Sequence, residues 1–235
     1  YRKENAGFYN RLDRGNDDDA INRLEGHELS HQWWGTTQID PEDRECAWIL
    51  TETLAKYTEH MLYQRSHGLQ PTLDIVRQNI DLYLSNRSFS KEAQLYKTTL
   101  DTPHLPYNKG LVVMYQLRQL IGEAAVNAAL RSLLEEHAFP KDPPTSQDLI
   151  NAFYRQSPDS LHQGIDELFK EIILYDSKIE EANCKMLKGN DYELNVIAKI
   201  EKYREDGNGK RTKMPVGTAM EIGIWYGDGS MEIEN

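Results

Sequence analysis

Apolar positions recur with a helical period along most of this chain and switch to strict alternation near its end. The first helical run covers about Ala20–Trp34. Asp17, Asp18 and Asp19 precede it, where acidic groups complement the helix dipole, and Gly35 follows it. Residues 36–47 form a polar connection containing Pro41. A second helix is predicted over Ile49–Arg65, closing near Gly68. A third starts at Pro71-Thr72 and carries Leu73, Ile75, Val76, Ile80, Leu82 and Leu84. Residues 86–106 show no period and are expected to be irregular. Lys109–Ile121, Glu123–Glu136, Ser146–Gln156 and Ser160–Leu174 then each present an apolar face. Pro140, Pro143 and Pro144 punctuate the gap before Ser146.

After Tyr175-Asp176 the period changes. Tyr192, Leu194, Val196, Ala198 and Ile200 alternate with polar residues, with Ile197 as the one break, and predict a half-buried strand. Asp206-Gly207-Asn208-Gly209 is a turn signal, and Ile222, Ile224 and Tyr226 predict a further strand. The chain is therefore expected to be mainly α: a helical domain over residues 1–176, then a partial all-β domain over residues 177–235. The β segment offers three or four strands. It is expected to be part of a larger β-sandwich-type domain or to pack on something outside this sequence.

Composition narrows the functional classes. The chain has 235 residues, 39% hydrophobic and 28% charged, as expected of a soluble domain with a sizeable core. Its net charge of −11 argues against nucleic-acid binding, which needs clustered Lys and Arg on a phosphate-facing surface. No apolar run is long enough for a membrane helix, and no signal-peptide pattern opens the chain. Cys46 and Cys184 fit neither a disulfide framework nor a Cys-based zinc site. Both ends read as cut, so an excised part of a longer protein is expected.

The chemistry concentrates in His27-Glu28-Leu29-Ser30-His31. On a helix, positions i and i+4 share a face, so the two imidazoles can bind one ion and Glu28 can reach its open side. Catalytic zinc takes three protein ligands and keeps one position for water. A Glu on the following helix, Glu52 in Thr51-Glu52-Thr53-Leu54-Ala55, is the natural third ligand; Glu45, in the connection, is its rival. Zinc lowers the pKa of bound water towards ~7, and Glu28 is placed to take the proton as general base. Tyr107, in Leu105-Pro106-Tyr107-Asn108-Lys109-Gly110, is a further candidate because a phenol can donate to an oxyanion. Taken by itself, a Tyr at a helix start reads more simply as packing or surface. Trp33 and Trp34 read as core, His60 as surface or packing, His104 as an exposed loop residue, and Lys109 as a local cap or ion-pair partner.

His27–Gly35, Thr51–Ala55 and Pro106–Gly110 come in the order seen in the aminopeptidase N-like zinc metallopeptidases, which this chain resembles from about Gly7 to Tyr175. The resemblance implies a thermolysin-like (gluzincin) catalytic domain. It implies one zinc ion on His27, His31 and Glu52, with Glu28 as general base, and it lifts Tyr107 to oxyanion stabiliser. The implied reaction is hydrolysis of a peptide bond, of aminopeptidase type, in a soluble domain. The likeness is greater to a bacterial branch whose peptidase domain is encoded with, or fused to, an ABC-transporter permease. It rests there on Thr51–Tyr57, Tyr107–Tyr115 and Pro144-Thr145-Ser146. That branch implies a membrane-associated parent with the permease as partner. The reading from another class is an accessory domain of a transporter with a structural or vestigial zinc. Glu28 and Tyr107 discriminate, because a purely structural site needs neither.

Two departures from the family pattern stand out. Twenty residues separate His31 from Glu52, two more than usual, and the loop over residues 36–47 can absorb them. Nothing in the chain matches the family's Gly-x-Met-Glu-Asn strand, which binds the substrate's free amine. That strand is expected upstream of Tyr1.

Overall fold

The computed structural model describes residues 20–41, 46–87, 91–99, 101–187, 191–217, 222–227 and 230–234. The chain divides between Ile172 and Ile173 into two compact units. The first is helical, the second built of antiparallel strands.

Among the described residues, seven α-helices order the first unit: α1 (Ala20–Ser30), α2 (Leu54–His67), α3 (Leu69–Asn86), α4 (Gly110–Ile121), α5 (Glu123–His137), α6 (Ser146–Arg155) and α7 (His162–Phe169). Two π-helical turns, Ile49–Thr53 and Leu105–Lys109, lead directly into α2 and α4. Helix α1 lies on α2, and α4 packs against α2, α3, α5 and α7. Leu54, Met114, Leu117, Val126, Leu133 and Phe153 are buried in one continuous core, drawn from the apolar faces that set the helical period. Helix α6 starts where Thr145 and Asp148 cap each other. The Thr145 hydroxyl accepts from the Asp148 amide at 3.2 Å, and Asp148 accepts from the Thr145 amide at 2.7 Å.

Several boundaries differ from the sequence-based expectation. The helix bearing the histidine pair ends at Ser30, so His31 lies in the turn beyond it. There the His31 amide bonds to the Glu28 carbonyl, three residues back, at 3.3 Å, which tightens the last turn. Helix α3 begins at Leu69 and takes Pro71 into its first turn, where a missing N–H costs nothing. Residues 172–174, expected to end a helix, belong instead to strand β1 (Ile172–Met186). Ile172 and Leu174 are buried while Ile173 is only partly so, a period of two that a three-residue window cannot separate from a helix end.

In the second unit β1, β2 (Tyr192–Glu205) and β3 (Arg211–Met214) form one sheet in that order. Strands β2 and β3 are antiparallel, with Glu205 facing Arg211 and Lys202 facing Met214. The connecting turn is stabilised by Asp206, whose Oδ1 accepts from the amides of Asn208 at 2.8 Å and Lys210 at 3.2 Å. Strands β4 (Ile222–Trp225) and β5 (Met231–Glu234) form a separate antiparallel pair. Among the described residues, no helix is long and apolar enough to cross a membrane.

Candidate metal centre

Two segments separated in sequence meet at one point. Helix α1 brings His27, the turn after it brings His31, and the π-turn Ile49–Thr53 brings Glu52. One donor atom from each lies within 4.8 Å of the other two. His27 Nε2 is 3.2 Å and His31 Nε2 3.7 Å from Glu52 Oε2. Tetrahedral bonds of about 2.1 Å would place ligand atoms about 3.4 Å apart, so these residues fit a zinc ion without rearrangement of the backbone. His27 and Glu52 are buried and His31 partly so, as expected of a site that restricts water.

Each imidazole has a partner behind it. His31 Nδ1 bonds to the Trp34 carbonyl at 2.8 Å, which turns Nε2 towards Glu52. His27 Nδ1 faces Glu59 Oε2 at 3.5 Å, a charge contact beyond hydrogen-bond length. Glu59 lies in α2, two helical turns past Glu52, and is held by Lys56 Nζ at 2.8 Å and Arg23 Nε at 3.1 Å. Burial alone would raise the Glu59 carboxyl, but His27, Lys56 and Arg23 hold it down at about 2. Burial would likewise lower the His27 imidazole, yet Glu52 and Glu59 outweigh it and push it up to about 9. Two carboxylates thus favour positive charge at His27, as proton or as metal. Glu52 itself, although buried, is held below the usual carboxylate range by His27, Tyr107 and His31.

Glu28 is exposed on the helix that carries His27. Tyr107, in the middle of the π-turn Leu105–Lys109, stands beside the cluster, its ring centroid 5.9 Å from that of His27. Burial, then Glu52 and Glu28, push its phenol well above the ordinary range, so it stays protonated as a donor. The structure therefore brings His27, His31, Glu52 and Tyr107 together, with Glu28 close enough to act on the Tyr107 phenol through its charge. Glu45 lies outside the described residues.

Two glycines let these segments close on one another. A Cβ at Gly35, whose φ is +96°, would overlap Thr51. A Cβ at Gly110 would overlap Thr53, whose hydroxyl donates to the Pro106 carbonyl at 2.7 Å. The residues on either side of Glu52 thus pack against the glycine after the histidine segment and the glycine after the tyrosine segment. The Trp-Trp-Gly loop is closed by Gly35 N donating to Ile39 O at 2.6 Å and Ile39 N to Trp33 O at 3.0 Å.

Other sequence-based expectations divide. Trp34 is buried, as expected, and donates to Thr58 at 3.1 Å, whereas Trp33 is 47% exposed and is not core. His60 is not at the surface: it is buried edge-on to Tyr115, and both ring nitrogens have no protein partner among the described residues. His104 is partly buried, not an exposed loop residue. Lys109 pairs with Glu92, which is distant in sequence, at 2.7 Å. Glu59, Thr53 and Glu92 were not found from the sequence. For Glu59 the i+7 spacing from Glu52, on the same helix face, was the available signal.

A model of the Peptidase family M1 domain matches residues 8–171. Among solved structures, the chain is similar to a glutamate-to-alanine variant of the M1 zinc metallopeptidase from Deinococcus radiodurans. That match has 24% identity and a TM-score of 0.50, over 63% of this chain and 32% of that one. The same variant with a bound Tyr-Ser-Ala substrate matches at 22% identity and a TM-score of 0.47, over the same shares of the two chains. The chain thus spans about a third of the length of the metallopeptidase it matches. Among curated proteins, none matches the chain.

Proposed function

The chain belongs to peptidase family M1, and on that premise we propose that it carries the catalytic centre of a zinc metallopeptidase. His27, His31 and Glu52 would hold one zinc ion, which when bound would lower the pKa of a water towards neutrality and polarise a carbonyl. The Glu28 carboxylate takes the proton of the attacking water and returns it to the leaving amine nitrogen. The Tyr107 hydroxyl donates to the oxyanion that develops at the scissile carbonyl. The Glu59 carboxylate, 3.5 Å from His27 Nδ1, favours positive charge on that ring.

The convergence of three donor atoms, from His27, His31 and Glu52, within 4.8 Å of one another is the observation that carries this reading. A closed structural site has four protein ligands, and among the described residues the group has three, which favours an open catalytic site over a structural zinc in a transporter accessory domain. Motif likeness extends the proposal to aminopeptidase-type cleavage of peptides, within a parent protein that works beside a membrane permease. The test is Glu28→Gln in the intact protein. The variant is expected to retain zinc and lose peptide hydrolysis; undiminished hydrolysis would remove Glu28 from its role.

A further inference from the structure

The π-turn that carries Tyr107 is attached to the rest of the unit on both sides of that residue. Before it, the Pro106 carbonyl accepts from Thr53. After it, Asn108 Nδ2 donates to Asn79 Oδ1 on α3 at 2.9 Å, and Lys109 Nζ donates to Glu92 Oε1 at 2.7 Å. The third attachment differs in kind, because both ends are charged and buried: Lys109 is 5% exposed and Glu92 4%.

Glu92 is also a junction. Its Oε1 accepts from the Tyr83 hydroxyl at 2.7 Å, and its Oε2 accepts from Arg87 Nε at 2.9 Å and lies 2.8 Å from Arg87 Nη2. Lys109 Nζ sits 5.4 Å from the Tyr83 ring centroid. The carboxylate therefore ties the C-terminal end of α3 to the turn that bears Tyr107. Burial would raise the Glu92 carboxyl, but Lys109, Tyr83 and Arg87 hold it below the ordinary range, so it is an anion at neutral pH.

A buried ion pair is a poor source of net stability, since apolar residues of similar volume often serve as well or better. What it supplies is a directional attachment of fixed length. Lys109 is two residues from Tyr107, and its ammonium, engaged by Glu92 and buried, is not presented to a substrate. We propose that the Lys109–Glu92 pair is a positioning device that fixes where the Tyr107 hydroxyl stands relative to Glu52. This rests on the reading of Tyr107 as oxyanion donor. A misplacement of about 1 Å in such a donor costs on the order of a hundredfold in rate.

The test compares Lys109→Met, Tyr107→Phe and the double variant in the intact protein. Peptide hydrolysis is followed by kinetics, and amide exchange of residues 105–110 by mass spectrometry. Lys109→Met is expected to keep its zinc and its KM, to lower kcat roughly 10- to 100-fold, and to speed exchange in 105–110 while the core of α4 stays protected. In the Tyr107→Phe background it is expected to lower kcat no further, because the group it positions is already gone. Lys109→Arg, which keeps the charge but not the point geometry, is expected to recover part of kcat. If Lys109→Met does not fold, Glu92→Gln, which keeps the shape and an acceptor for Tyr83, carries the same comparison. Unchanged kcat and exchange would overturn the proposal, as would an equal loss of kcat with and without the Tyr107 hydroxyl. Wild-type kcat in Tyr107→Phe alone would instead overturn the reading of Tyr107, and the exchange data, independent of activity, would then decide the attachment alone.

Discussion

The Thr53 hydroxyl donates to the Pro106 carbonyl over 2.7 Å, joining the residue after Glu52 to the residue before Tyr107. One hydrogen bond thus couples a candidate metal ligand to a candidate oxyanion donor. Gly110 sits against the same threonine, so close that a Cβ would overlap it. Thr53→Val keeps the shape but deletes this buried hydrogen bond, which contributes about 0.5–1.5 kcal/mol. The expected outcome is a lower denaturation midpoint together with a lower kcat. Thr53→Ser, which keeps the hydroxyl, should lose much less of either. Gly110→Ala should destabilise by about 1–3 kcal/mol, since the added methyl has nowhere to go. Chemical denaturation of the three variants checks both statements.

Tyr107→Phe removes a donor that is useful only once negative charge develops on the substrate. Loss of such a donor costs roughly 10²–10³ in kcat, and KM should move little because the ground state does not use it. Zinc content should equal that of the wild type. Steady-state kinetics on a chromogenic peptide separates the two parameters; a rise in KM at constant kcat would make Tyr107 a binding residue instead.

Glu59 touches His27 from the side away from Glu52. Glu59→Gln keeps its size and loses its charge, so His27 loses one of the two carboxylates that favour positive charge there. Metal affinity is expected to fall about 10- to 100-fold, the usual effect of removing a partner behind a ligand. Competition with a zinc-binding dye measures it. Unchanged affinity would show that Glu59 serves only Lys56 and Arg23.

His60 gives the helical unit a defined response to acid. Burial, only partly offset by Glu59, lowers its imidazole to about 4, against 6.5 when exposed. A His depressed in the fold binds fewer protons there than in the unfolded chain. Its contribution is therefore complete above pH 6.5 and is lost as pH falls from 6.5 towards 4, by about 3 kcal/mol in all. His60→Leu should flatten the stability profile between those pH values, because neither ring nitrogen has a partner to lose among the described residues. Urea titrations at pH 7 and pH 5 on both proteins read the difference.

The helical unit was legible because its apolar faces repeat over many residues and every long run became a helix. The candidate site was legible for a different reason: His27, Glu28, His31 and Glu52 carry their chemistry in residue type and spacing. What supports them was not. Glu59 and Glu92 look like solvated surface residues until the fold supplies Arg23, Lys56, Arg87 and Lys109 around them. For His60 the residue pattern leaves surface and packing both open, since burial of a lone histidine depends on neighbours such as Tyr115 that are distant in sequence, and the fold selects packing. Strand β1 was missed because nearly all of it past Leu174 is exposed. A strand that is held by its ladder and buries no face leaves no alternation to read.

The most direct test of the central claim is the zinc stoichiometry of the purified protein by elemental analysis, across wild type, His31→Ala, Glu52→Gln and Glu28→Gln. The wild type is expected to hold about one zinc per chain. Glu28→Gln is expected to hold the same amount, and the two ligand variants to lose most of the metal. A wild type that binds no zinc, or ligand variants that hold as much as the wild type, would contradict that claim.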